Sequence, residues 1–363
     1  MTELDLKLMR IRELLQQRSL DAVLIERADN FAWATCGASA VVNLASDRGA
    51  ASLLVTTSKH FVLTDPIEAP RLEAEEGLAD KGWEFKVSPW YEASGAVEHM
   101  TRGGRLGSDF PRAGAVDIAS DLMPLRAALT TEELARYREL GTLSAQTMEA
   151  AIHMTRPGMT EHELSGLLGR EASGRGLQPI VNLVATDERV FRFRHPLPTQ
   201  KRLDRYAMLV LCGRKWGLVC SLTRLVHFGR LPDELRSKAE AVARIDAQFI
   251  LGTRPGKILG EIFKEGLQAY AGVGFPDEWK LHHQGGLAGY GPRELVATPT
   301  TDFRVSAGQA YAWNPSITGT KSEDTILIGE NGNEIITAIA GWPTMDVAIP
   351  AGRVERPAIL ARA

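Results

Sequence analysis

At 363 residues the chain is long enough for one large or two ordinary domains, each with a sizeable core. Its 44% hydrophobic and 24% charged content is that of a soluble globular protein, and a net charge of −3 gives no reason to expect nucleic acid or an anionic membrane as partner. No apolar run reaches bilayer-spanning length, the N-terminus lacks a signal peptide's basic and apolar regions, and Cys36, Cys212 and Cys220 are too few and scattered for a disulfide framework. The expectation is a cytoplasmic protein.

Leu4, Leu8, Ile11 and Leu15 share one helical face, so the chain opens with an amphipathic helix. Asp21–Ile25 then reads as a buried strand. Ala51–Val55 and Phe61–Thr64, parted by Thr-Ser-Lys, read as a hairpin. A helical stretch near Pro70–Glu76 and a strand over Trp83–Val87 continue a small α/β domain to about residue 120. This domain carries no chemical motif.

Met123-Pro124-Leu125-Arg126 marks the expected boundary, giving domains 1–123 and 124–363. Thr130-Thr131-Glu132-Glu133 opens a long helix with a capping box, in which a hydroxyl and a carboxylate three apart satisfy free backbone N–H groups. An internal repeat follows. Thr155-Arg156-Pro157-Gly158 recurs as Thr253-Arg254-Pro255-Gly256, each preceded by an amphipathic helix and followed by another, Glu161–Glu171 or Leu259–Tyr270, and then by strands. Two such halves about a pseudo-twofold axis would place a single site at their shared strands.

Several segments, in order, have the look of one fold. They are Arg156-Pro157-Gly158-Met159-Thr160-Glu161, Arg194-His195-Pro196, Leu209–Arg224, His282-His283-Gln284-Gly285-Gly286, Gly308–Pro315 and Glu323-Asp324-Thr325. The chain resembles the pita-bread family of creatinase, prolidase, aminopeptidase P and methionine aminopeptidase. The resemblance implies an α/β (α+β) protein, with a small creatinase-type N-terminal α/β domain followed by a pseudo-twofold pita-bread domain. Family peptidases hold two metal ions with two Asp, one His and two Glu, since hard divalent ions favour carboxylates. By resemblance the first Asp falls at Leu211 or Cys212, the second at Ser221, the His at His283, the first Glu at Asn314 and the second at Glu323. Three anions are gone, and the expectation is no metal and no other cofactor. A substitute zinc site from Cys212, Cys220, His283 and Glu323 stays open, although strand alternation turns Cys220 away from Ser221's face.

The metal-free enzyme creatinase resembles this case most closely. Its acid/base histidine maps onto His195 and one substrate glutamate onto Glu323. The other falls at Thr223, which argues against creatine as substrate. The expectation is a metal-independent, creatinase-like hydrolase of a C–N or amide bond in a small polar molecule. His195 and Glu323 are its expected catalytic residues, and His283, Arg293, Tyr290, Thr223 and Asn314 bind the substrate. Glu323 is read as orienting His195 or holding a substrate N–H, and Arg293 as clamping a substrate carboxylate. His282, of opposite strand parity to His283, reads as structural, and Arg293 with Glu294 as a salt bridge. Arg189, Arg192, Arg194, Lys201, Arg202 and Arg205 read most simply as a solvated surface, with the mouth of the cleft as the other reading. The alternatives are a catalytically inactive pita-bread module binding peptide or protein, and an Xaa-Pro-type metallopeptidase with a rearranged site. The family also implies a homodimer.

Overall fold

Thr2 and Asp5 start the first helix reciprocally: the Thr2 hydroxyl accepts from the Asp5 N–H and the Asp5 carboxylate from the Thr2 N–H. In the computed structural model, which describes residues 1–92 and 95–362, this helix is α1 (Glu3–Gln17) and buries Leu8, Ile11 and Leu15. It is followed by β1 (Ala22–Arg27), α2 (Ala28–Ala34), β2 (Arg48–Thr56), β3 (His60–Thr64) and α3 (Ala69–Ala74). Then come β4 (Glu84–Val87), α4 (Ala96–Thr101), β5 (Leu106–Ser108), β6 (Val116–Asp117) and α5 (Ala119–Ala127). The six strands form one sheet in the order β4-β3-β2-β1-β5-β6, with β2 and β3 as the expected antiparallel hairpin. The sequence did not announce α2, because two turns are too few for a helical period to register.

These elements belong to one compact unit, Met1–Glu133 with Trp216–Leu218. Met123–Arg126 lies inside α5, and the division of the chain falls after Glu133. There the expected capping box is present. The Glu133 N–H donates to the Thr130 hydroxyl at 3.2 Å and the Thr130 N–H to the Glu133 carboxylate at 2.7 Å, opening α6 (Thr131–Met154).

The second unit, Leu134–Lys215 and the chain from Val219 onward, carries the repeat. Its first half holds α7 (Glu161–Gly174), β7 (Gln178–Thr186), α8 (Glu188–Arg192), β8 (Tyr206–Lys215) and β9 (Leu218–Phe228). Its second half holds α9 (Asp233–Gly252), α10 (Leu259–Gly272), β10 (Gly285–Ala288), β11 (Leu295–Val296) and β12 (Ala310–Trp313). The short hairpin β13 (Ser316–Ile317) and β14 (Thr320–Lys321) follows, then β15 (Asp324–Ile328) and β16 (Asn333–Ile335). The chain closes with β17 (Thr344–Ile349), β18 (Gly352–Pro357) and β19 (Leu360–Arg362).

The two copies of Thr-Arg-Pro-Gly are built alike. Gly158 and Gly256 both adopt φ of 88°, a left-handed conformation glycine tolerates. The Gly158 N–H donates to Leu203 O and the Gly256 N–H to Val305 O. Arg202 and Arg304 each donate back to the glycine carbonyl at 2.6 Å. The duplication is structural as well as textual.

Each half contributes a sheet, β19-β9-β8-β7 and β11-β10-β12-β15-β16. They meet where β9 passes the start of β15: the Thr223 N–H donates to Glu323 O, and the Ser221 N–H to the Thr325 hydroxyl at 2.8 Å. Behind this seam lies a buried four-charge network. Asp324 accepts from Arg224 at 2.9 Å, from the Thr337 hydroxyl at 2.6 Å and from Arg356 at 2.7 Å, and Arg356 also pairs with Asp246. Two acids and two bases balance. Leu209, Leu211, Leu222 and Val226 pack the core beneath.

Gly285 opens β10 with φ of 105°, and a Cβ there would stand 2.1 Å from the Ala312 carbonyl oxygen on β12. Gly285→Ala is expected to cost roughly 1–3 kcal/mol by overpacking and to displace the preceding histidines. A lowered unfolding midpoint, read by circular dichroism, checks this. No helix among the described residues is long and apolar enough to cross a membrane.

Candidate active site

His195 lies in the loop between α8 and β8, and that loop is tied down by acids. The buried Glu161 carboxylate accepts from the Thr186 N–H, the Thr199 N–H and hydroxyl, and Arg189. Asp187 accepts from the backbone N–H groups of Asp204, Arg205 and Tyr206. Arg194, next to His195, pairs with Glu278 and donates to the Thr318 hydroxyl. The basic cluster expected as solvated surface is therefore partly internal framework. Arg189, Arg194 and Lys201 are paired with acids, Arg202 holds Gly158, and Arg192 and Arg205 are exposed.

Three histidines converge. His195, the exposed member, has its Nε2 3.0 Å from Nε2 of the buried His282. His282 stacks on His283 with ring centroids 4.4 Å apart and planes 23° apart. The strand parity on which His282 was read as structural does not apply to it, because it lies between the short 3-10 helix Glu278–Leu281 and β10. Burial, then the Lys321 charge, holds His282 down to about 2, and burial with Arg293 and Lys321 holds His283 down to about 4. His195 is lowered for the same reasons, burial first and Lys321 second. All three are neutral imidazoles at neutral pH.

Beside them is a buried ion cluster centred on Glu323. Lys321 Nζ lies 2.7 Å from Oε2, the Thr223 hydroxyl donates to the same oxygen at 2.6 Å, and Arg293 Nη2 donates to Oε1 at 3.0 Å. Burial alone would raise the Glu323 pKa, but Lys321 and Arg293 outweigh it and bring it down to about 2. The group carries one negative and two positive charges.

This geometry revises several expected roles. Glu323 makes no hydrogen bond to His195, since its oxygens are engaged by Lys321, Thr223 and Arg293. Arg293 is not a free clamp: it donates to Glu323, to the Ser221 hydroxyl at 3.2 Å and to Pro292 O. The Glu294 carboxylate accepts from the Tyr290 and Gly291 N–H groups, and Arg293 turns to Glu323 instead. Tyr290 is buried and its backbone is fixed by that contact. Thr223 spends its hydroxyl on Glu323. Asn314 is buried and, among the described residues, no donor reaches its Oδ1, an acceptor left open to a ligand N–H.

Sequence reasoning missed Lys321, although it stands two residues before Glu323. Residues i and i+2 of an extended chain share a face, so an oppositely charged pair at that spacing was the available signal.

The paired metal ions of pita-bread peptidases do not fit these side chains. Leu211 offers no donor atom, and Cys212 Sγ and Ser221 Oγ lie 3.2 Å apart and bond each other. Asn314 is neutral, and the one remaining carboxylate is already neutralised by two side-chain cations. The cysteine-based zinc set is not assembled either. Among the described residues the His, Cys, Asp or Glu side chains within mutual metal-ligand reach are His195, His282 and His283, their ligand atoms within 4.8 Å. These are neutral nitrogen donors with no carboxylate among them, unlike the acid-rich set that a pair of hard divalent ions favours.

The fold and its paired half-sheets are those of the pita-bread hydrolases. The chain belongs to metallopeptidase family M24, which it matches over residues 135–330. An uncharacterized peptidase of Staphylococcus haemolyticus is 25% identical over 298 residues, 74% of this chain and 83% of that one. Another from Staphylococcus saprophyticus is 24% identical over 61% of this chain, and the alignment spans 65% of that relative, just under two thirds of its length. Among solved structures, the Xaa-Pro dipeptidase from Bacillus anthracis superposes with a TM-score of 0.79 at 18% identity, over 98% of this chain and 99% of that one. The prolidase from Pyrococcus horikoshii gives 0.78 at 19% identity, over 92% and 98%. The N-terminal domain of a FACT complex subunit from chickpea gives 0.67 at 15%, over 93% and 97%. These superpositions establish the shared fold.

Proposed function

We propose that this protein is a hydrolase of a C–N bond in a small peptide-like or amide substrate, working without its family's paired metal ions and using His195 to carry the proton. The observation that carries this reading is the contact between exposed His195 and buried His282. Two neutral imidazoles facing each other through Nε2 share one proton, which fixes the ring of His195; with His195 as the donor, its Nδ1 is left as an acceptor. From there His195 takes a proton from water and returns it to the leaving nitrogen. His282 acts through His195, as a positioning residue. The relatives named as peptidases and dipeptidases favour dipeptides as the substrate class.

The test is a panel of dipeptides, Xaa-Pro among them, with N-acyl and guanidino acids, run with and without chelator and with metal content measured. His195→Ala is expected to lose roughly 10²–10⁴-fold in turnover with its unfolding midpoint kept. Full activity in that variant overturns the role of His195. A pita-bread module that only binds peptide would show affinity without turnover. The three-histidine cluster favours a second reading, a metallopeptidase with one ion on rotated rings. It predicts stoichiometric metal and inhibition by chelator.

A further inference from the structure

Lys321 stands on β14, paired across the short hairpin with Ser316, and is 6% exposed. A lysine so deep in a protein needs a counter-charge, and Glu323 supplies it at 2.7 Å. Among the described residues, the ammonium has no other side-chain or backbone acceptor, so two of its three N–H donors are uncommitted. Lys321 and His282 line the same small cavity of about 10 Å³, walled also by Arg194, Phe193 and Met208. That is room for about one water molecule or one carbonyl oxygen.

We infer that Lys321 is a catalytic residue that takes over the electrophilic work of the missing metal ions, its ammonium donating to the carbonyl oxygen of the scissile C–N bond. This rests on the reading of the site as a C–N hydrolase. A metal in such chemistry polarises a carbonyl as a Lewis acid, and a fixed ammonium in a water-poor site does the same by charge and hydrogen bonding. Glu323 and Arg293 hold that ammonium in place: the carboxylate anchors it, and the guanidinium on the other oxygen leaves the cluster one positive charge in excess. Such a charge matches an oxygen that becomes negative during reaction.

Water adds to the carbonyl carbon and passes its proton to His195. The carbonyl π pair moves onto oxygen, which Lys321 receives as a hydrogen-bonded oxyanion. When that pair re-forms the C=O bond, the C–N bond breaks and His195 returns the proton to the departing nitrogen. An acid and an amine leave, and Lys321 keeps its protons throughout.

The experiment compares wild type with Lys321→Met, Lys321→Arg and Lys321→Ala. On any panel substrate that wild type hydrolyses, Lys321→Met is expected to lose roughly 10²–10³ in kcat with little change in KM. Lys321→Arg, which keeps the charge and the pairing with Glu323, recovers part of it. Metal uptake from Co²⁺ or Zn²⁺ alone is measured by elemental analysis after dialysis. Wild type is expected to exclude the ion, and Lys321→Ala, one cation fewer beside Glu323 and His283, to take up more. Equal kcat in wild type and a folded Lys321→Met overturns the role of Lys321 while leaving the hydrolase reading intact. Should wild type hydrolyse nothing, the hydrolase reading falls and the catalytic role of Lys321 falls with it; stoichiometric metal uptake by wild type separately overturns the replacement of metal by Lys321.

Discussion

Glu323→Ala is expected to destabilise the protein by about 3–5 kcal/mol, the range for breaking a buried ion pair by removing one partner, and to abolish turnover. The side chains left behind are the reason. Lys321 and Arg293 are both nearly enclosed, and Glu323 is the acid on which they converge. Without it, two like charges face each other in a poorly solvated seam. The same carboxylate pins the two sheets through Thr223, so its loss also loosens the frame of the histidine cluster. Urea unfolding checks this: the midpoint should fall with the slope unchanged, and a loss below about 1 kcal/mol would mean that the cluster is solvated after all. The pH dependence has a definite sign. The folded Glu323 pKa, about 2, lies below its ordinary value of 4.5. Its contribution is therefore present above 4.5 and is lost as pH falls toward 2. Glu323→Gln should remove that part of the acid transition.

Asp324→Ala is the second large effect, again about 3–5 kcal/mol, but without direct chemistry. Asp324 holds Arg224 and Arg356 on separate oxygens, and Arg356 arrives from β18 near the end of the chain. Removing the acid turns a balanced two-by-two network into one with excess positive charge, and it frees the β17–β18 hairpin from the seam. The expected result is a lower urea midpoint together with earlier proteolysis after residue 340. Retained stability with unchanged proteolysis would show that Asp246 alone suffices to hold Arg356. Glu323 and Asp324 are adjacent in sequence and face opposite sides of the seam, so one change empties the cleft and the other its support.

Much of the fold was legible because it rests on local chemistry. The capping box at Thr130 and the repeated Thr-Arg-Pro-Gly need only nearby residues to act as they do. The site was less legible. The contact of His282 with His195 was not legible, because alternation presumes a strand and this stretch is irregular. Arg293 and Glu294 are neighbours that choose different partners, Glu323 and the Tyr290 and Gly291 N–H groups, through contacts made only after folding.

The sequence by itself determined the two-part α/β architecture and the duplicated half, through periodicity, a capping box and a repeated tetrapeptide, all of them local, and its resemblance to the pita-bread family gave the family in outline. Only the tertiary structure decided that Arg293 and Thr223 join Lys321 on Glu323, and that His282 joins His195. A buried charge takes whichever partner folding brings within about 3 Å, and for Glu323 those partners come from three separate segments of the chain.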